Sequence, residues 1–159
     1  MKKLIFLFVL VSFVWVAKAA DELDFVCVNG VTYFSEEIKI GITNARITTE
    51  NGLIMKAPLS KVNAYRVDGK LYERLPLICV DGRNKGTALM EFITQHNGLR
   101  LYKLSTASSE APANCRFVDK ANAECVYFVY KEGQLYLHVN QTNATTVFPF
   151  FHVKYSCNS

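Results

Sequence analysis

The chain has 159 residues, half of them hydrophobic, with 18 Lys and Arg against 14 Asp and Glu. Lys2, Lys3 and Lys18 fall in the first twenty residues and every acid lies beyond them, so the remainder holds fifteen cations against fourteen anions, a net +1. A strongly basic nucleic-acid binder would show a clear excess of cations, so charge alone gives no support to DNA or RNA binding.

The first twenty residues read as a signal peptide. Two lysines precede an apolar run from Leu4 to Val16, and Ala17-Lys18-Ala19 supplies the small residues that a signal peptidase needs. The run is too short to cross a bilayer core of about 30 Å, which takes roughly 20 residues. The expectation is a secreted protein whose mature chain starts near Ala20 or Asp21 and has no membrane segment. About 140 residues remain, enough for one core, and disulfides would help a domain of that size. The expected division is a signal peptide over 1–20, a main domain over 21–119 and a β-strand extension over 120–159.

Taken in order, Leu23 to Val28 and Val31 to Phe34 read as short strands joined by an Asn29-Gly30 turn. A helix is expected next. Ser35 can cap it, Glu36 and Glu37 suit its first turn, and Ile38, Ile42 and Ala45 recur at helical spacing. Gly41 weakens it, and Asn51-Gly52 lies beyond its end. Leu53 to Met55 fits neither period.

Strands follow. Val62 to Val67 and Lys70 to Val80 form a hairpin at Asp68-Gly69, a dipeptide that tolerates positive φ. Leu71, Leu75, Leu77 and Cys79 share one face of the second strand with Glu73, while Tyr72, Arg74, Ile78 and Val80 share the other. Pro76 removes a ladder donor, so a bulge or a free stretch of edge is expected there. After a polar loop, Asp81 to Gly86, Leu89–Thr94 and Leu99–Leu104 form another hairpin through His96-Asn97-Gly98. Ser105 to Ala113 is a small-residue loop, and Asn114 to Val118 closes the main domain.

Beyond a polar break at Asp119 to Ala123, three aromatic-rich strands are expected over Cys125–Lys131, Gln134–Asn140 and Thr146–Tyr155. They either add to the first sheet or form an appendage. One helix followed by an antiparallel meander is an α+β arrangement, the helix covering one sheet face. Asn140-Gln-Thr142 and Asn143-Ala-Thr145 both fit the N-glycosylation acceptor pattern, so Asn140 and Asn143 are candidate glycan sites. There is no CxxC pair, and His96, His138 and His152 are scattered, so no metal and no cofactor are expected.

The order of these features resembles a family. Phe25-Val26-Cys27 near the mature start, one helix, Leu71-Tyr-Glu-Arg-Leu-Pro-Leu77, a second hairpin and Cys115-Arg-Phe-Val118 resemble the fungal guanyl-specific ribonucleases. They resemble more closely the RNase-like secreted effectors of cereal powdery mildews. The likeness covers about residues 23–119, and it implies a ribonuclease-like helix-on-sheet fold.

The family's ribonucleases use a strand glutamate as base, histidines as acid and electrostatic partner, and an arginine on the phosphorane, which is what RNA cleavage requires. The Tyr-Glu-X-Pro motif is nearly present as Tyr72-Glu-Arg-Leu-Pro76, with one residue too many. Either Glu73 or Arg74 takes the base position, and a slip of one residue turns every side chain to the other face. The remaining positions carry Leu59, Ala88-Leu89 and the stretch from Tyr102 to Thr106, with neither histidine nor arginine. The resemblance thus implies a non-catalytic effector that binds a host protein, or RNA, and interferes with plant immunity. The alternative is an active secreted ribonuclease or RNA-binding toxin.

Other readings of these residues are plainer. Glu73 reads as a strand residue salt-bridged to Arg74 or Lys70. Tyr127, Phe128, Tyr130, Tyr136, Phe148, Phe150 and Phe151 read first as core and sheet surface, with a base-stacking platform as the other option. Of the five cysteines, Cys27 and Cys115 are paired by the resemblance, and closing a loop of roughly 90 residues is worth up to about 4–5 kcal/mol in the chain-entropy model. Cys125 and Cys157, at the outer ends of the C-terminal strands, form the second expected bridge among the pairings open to five cysteines. Cys79 is left as a buried thiol.

Overall fold

The computed structural model describes residues 23–35, 37–49, 51–105 and 125–156. In chain order the strands are β1 (Phe25–Val28), β2 (Val31–Phe34), β3 (Glu37–Ile40), β4 (Asn44–Thr48), β5 (Ile54–Pro58), β6 (Val62–Val67), β7 (Lys70–Ile78), β8 (Asn84–His96), β9 (Leu99–Ser105), β10 (Cys125–Lys131) and β11 (Gln134–Val139). A single 3-10 turn, Leu59–Lys61, precedes β6, and one helix, α1 (Ala144–Phe150), follows β11.

Four two-residue turns shape the larger sheet. Asn29-Gly30, Asp68-Gly69, Asn97-Gly98 and Glu132-Gly133 hold both residues at positive φ, the geometry whose twist matches antiparallel neighbours. Eight strands pair antiparallel in the order β11-β10-β9-β8-β7-β6-β1-β2. The strands after residue 120 therefore extend the main sheet. Pro76 pairs with Thr87 and sits beside a register shift, between Pro76 and Ile78, the irregularity expected of a residue with no N–H.

Strand accounts for 62% of the structure and helix for 9%, so the expected α+β fold is replaced by two antiparallel sheets. The helix expected from Ser35 is instead the β3–β4 hairpin of a three-stranded sheet, β3-β4-β5. Its apolar residues alternate. Ile38, Ala45, Ile47 and Ala57 are buried, whereas Ile42, needed for the helical stripe, is 78% exposed. Branched isoleucines on a period of two favour a half-buried strand over a helix.

The strand expected over Thr146–Tyr155 is also corrected: α1 takes its first half, and turn and irregular backbone take the rest. Val147, Phe148 and Phe151, at i, i+1 and i+4, turn one face inward.

Three clusters fill the interior. Val26, Val62 and Leu89 of the large sheet meet Ile38, Ala45, Ile47 and Leu59, which seats the small sheet over one end. On the same side farther along, Leu101, Tyr127 and Val129 pack under Val147, Phe148 and Phe151. The opposite side of β7–β10 buries Leu75, Leu77, Met90, Tyr102, Phe128 and Tyr130. This side is enclosed by the sheet curling on itself. The Tyr130 hydroxyl donates to the Pro76 carbonyl at 2.6 Å, and His138 Nε2 lies 2.7 Å from the Ile78 carbonyl, so β10 and β11 reach back to β7. Among the described residues no helix is long and apolar enough to cross a membrane.

Candidate functional site

The register of β7 decides between Glu73 and Arg74. Glu73 opposes Met90 and shares the inner face with Leu75 and Leu77, while Arg74 opposes Leu89 on the outer face. Arg74 is structural: its Nε donates to the Val62 carbonyl and its Nη2 to the Leu59 carbonyl, both at 2.7 Å. The Glu73 carboxylate has two partners. Its Oε2 accepts the Tyr102 hydroxyl proton at 2.7 Å and lies 2.7 Å from Arg100 Nη2, while Oε1 is 3.3 Å from Arg100 Nη1. The ion pair expected with Arg74 or Lys70 is thus made with Arg100. The Arg100 guanidinium also stacks over Phe92, 4.7 Å from the ring centroid, and over Tyr102 at 5.3 Å. Its Nε has no hydrogen-bond partner. Burial, with the Glu73 hydrogen bond second, pushes the Tyr102 hydroxyl well above the usual phenol range.

No histidine joins this group. His138 contacts Ile78 and Phe128, and His96 lies against Phe150 and His152, with ring centroids 4.8 and 5.4 Å away. The positions that the resemblance maps onto catalytic groups are mostly core: Leu59, Ala88, Leu89, Tyr102 and Leu104 are all buried, and Thr106 lies outside the described residues. The aromatics divide in the same way. Tyr127, Phe128, Tyr130, Phe148 and Phe151 are buried, so they form core and not a stacking platform; Tyr136 and Phe150 are exposed.

Cys27 is a free, half-buried thiol, which departs from the Cys27–Cys115 bridge that the resemblance implied. On β1, Val26 faces the core shared with the small sheet, and its neighbour Cys27 turns to the opposite side. Cys79 and Cys125 are each disulfide-bonded, so Cys79 is not the expected thiol. No disulfide joins two described residues, and Cys115 and Cys157 both lie outside them.

The candidate glycan sites sit in the turn before α1. Asn143 Oδ1 accepts the Asn140 amide at 2.8 Å and its Nδ2 donates to the His138 carbonyl at 2.9 Å. Asn140 Oδ1 accepts the amides of Thr142 and Asn143 at 2.9 and 3.1 Å.

A feature that the sequence reading missed lies on the small sheet. Lys39 opposes Arg46, and Arg46 opposes Lys56, so three cations form one row across β3, β4 and β5. All three are exposed. The row borders an open groove of about 300 Å³, whose other wall is the β3–β4 turn from Ile40 to Asn44. Among the described residues Glu37 is the carboxylate beside it: Oε1 is 2.7 Å from Lys39 Nζ, and Oε2 accepts the Thr48 hydroxyl at 2.9 Å. Those two hydrogen bonds, with the nearby charges of Lys39 and Arg46, hold the Glu37 carboxyl below the usual carboxylate range. Among the described residues no group of three or more His, Cys, Asp and Glu could hold a metal.

No family model, no curated protein and no solved structure matches the chain.

Proposed function

We propose that the chain is a secreted, non-catalytic binding domain whose partner is an extracellular macromolecule. One observation carries this reading. Glu73, one of the two residues that the sequence offered for the base position, is committed to Arg100 and Tyr102 on the core side of β7. A general base must be within reach of the proton it abstracts, with an acid and a phosphate clamp on the other side of the reacting group. Among the described residues no histidine lies beside Glu73, and the cation and hydroxyl next to it are both bonded to the carboxylate itself. Arg100 neutralises it, and the Tyr102 hydroxyl, held protonated, donates to it.

The resemblance to mildew effectors adds host defence as a setting. Its helix-on-sheet scaffold is not the fold observed, so the proposal keeps the binding role and leaves the scaffold out. The test is incubation of the purified protein with labelled single-stranded RNA across the acid and neutral range. No cleavage above buffer is expected. Cleavage that disappears in Glu73→Gln would overturn the proposal in favour of a ribonuclease.

A further inference from the structure

Like charges directly opposite one another destabilise a sheet, and the chain avoids the arrangement elsewhere. On the large sheet the cross-strand partner of Lys103 is Glu91, and the two form a 2.9 Å ion pair. The small sheet does the reverse. Strands lie about 4.7–4.9 Å apart, so Lys39, Arg46 and Lys56 place three positive heads along roughly 10 Å. Among the described residues only Lys39 has a carboxylate partner, and Arg46 and Lys56 make no ion pair.

Among the described residues the groove beside the row is lined by polar and aliphatic groups and by no aromatic ring. In the turn, Asn44 Nδ2 donates to Thr43 Oγ1 at 2.8 Å, which leaves the Thr43 hydroxyl proton and the Asn44 side-chain oxygen for a ligand.

We propose that this face binds an acidic polysaccharide. Its sulfate or carboxylate groups lie along Lys39, Arg46 and Lys56, and its hydroxyls meet Thr43 and Asn44. The inference rests on the binding-domain reading and names the partner's chemistry. Charge complementarity requires a ligand with repeated anions, and the polar turn fits one rich in hydroxyls. Single-stranded nucleic acid is disfavoured, because its binding grooves combine cations with aromatic stacking platforms, and no described residue lining this groove is aromatic.

The test measures binding of the purified protein to immobilised heparin, polygalacturonate and a single-stranded RNA homopolymer over a salt series. The first two separate sulfate from carboxylate as the recognised anion. At least one is expected to bind, with affinity falling as salt rises. The triple variant Lys39→Gln/Arg46→Gln/Lys56→Gln should bind at least tenfold more weakly with an unchanged circular-dichroism spectrum, while Lys131→Gln, an exposed cation on the large sheet, should match wild type. Arg46→Glu should lose binding and raise the Tm by a few degrees, because it replaces two like-charge neighbours with attractive ones.

Wild-type affinity in the triple variant, no binding to either polysaccharide, tighter binding to RNA than to both, or a lower Tm in Arg46→Glu would each overturn the inference. None of these outcomes touches the binding-domain reading, which falls only to RNA cleavage that depends on Glu73.

Discussion

On the large sheet Glu91 answers Lys103 and Glu73 answers Arg100, whereas on the small sheet Lys39, Arg46 and Lys56 stand side by side. Burial explains how both arrangements coexist. The Lys103 and Glu91 side chains are only 12% and 14% exposed, and a charge so enclosed is costly without a partner. The three cations of the small sheet project into solvent, where water and salt screen their repulsion. A row of like charges is affordable only at such a surface. The comparison assigns stability to the curled end of the large sheet and recognition to the small sheet, and each assignment can be attacked separately.

The largest expected effect concerns the cysteines. Cys79 and Cys125 belong to the curled end, and replacing either with alanine should cost about 2–5 kcal/mol in denaturant unfolding, as loss of a native disulfide does. Cys27→Ser should stay within about 0.5 kcal/mol of wild type. Alkylation without reduction, followed by peptide mapping, should modify Cys27 alone and find Cys79 and Cys125 each joined to a different cysteine. A protected Cys27 would return the N-terminal bridge that the resemblance implied.

Next in size is Glu73→Ala. It strands the Arg100 guanidinium, whose Nε already lacks a partner, and removes the acceptor of a buried tyrosine hydroxyl. A loss of about 2–3 kcal/mol is expected, below the range for fully buried pairs because the Arg100 and Glu73 side chains are 34% and 27% exposed. Polysaccharide affinity should not change. If it does, the two sheets are not energetically separate and the division of labour fails.

The parts of this picture that the sequence disclosed are those written in local chemistry. Asn29-Gly30, Asp68-Gly69 and Asn97-Gly98 mark hairpins because positive φ is cheap there, and Pro76 marks a ladder irregularity because it has no N–H. The period of two along Leu71–Cys79 puts Glu73 on the inner face. What failed depended on distant contacts or on choosing between periods. Ile38, Ile42 and Ala45 mimic a helical stripe, but Glu37-Ile-Lys-Ile40 and Ala45-Arg-Ile47 alternate, and that was the better signal. Arg100 reaches Glu73 across the intervening strand β8 and 27 residues, a relation no local pattern contains. The cationic row was hidden for the same reason. Lys39, Arg46 and Lys56 each sit between inward-facing apolar neighbours, but only the strand register aligns them.

A smaller effect separates the two glycan acceptors at the end of the large sheet. Both polar atoms of the Asn143 amide are engaged inside the fold, and a glycan would have to spare the bond to the His138 carbonyl. Asn140 uses only its oxygen. Mass spectrometry of protein secreted from a glycosylating host should find the glycan on Asn140. Asn143→Ala should cost about 1 kcal/mol through the lost hydrogen bonds even without a glycan. A glycan on Asn143 with full stability would contradict this account of the turn.

The finest test of the small sheet is Glu37, the carboxylate that partly offsets the row. A carboxylate a few ångströms from a ligand anion repels it weakly in water, and salt screens the repulsion further. Glu37→Gln should therefore tighten heparin binding by about two- to threefold at neutral pH, with no change in fold. The pH dependence follows from the lowered carboxyl of Glu37. Its folded value lies below its unfolded one, so its small contribution to stability is present above the unfolded value and lost as pH falls through the folded one. Through that fall Glu37 loses its charge while lysine and arginine keep theirs and sulfate esters keep theirs. Heparin affinity should rise as pH drops below the ordinary carboxylate range, and Glu37→Gln should flatten the rise. A wild-type profile with no rise, or one that the variant reproduces in full, would place the bound anion away from Lys39 and Arg46.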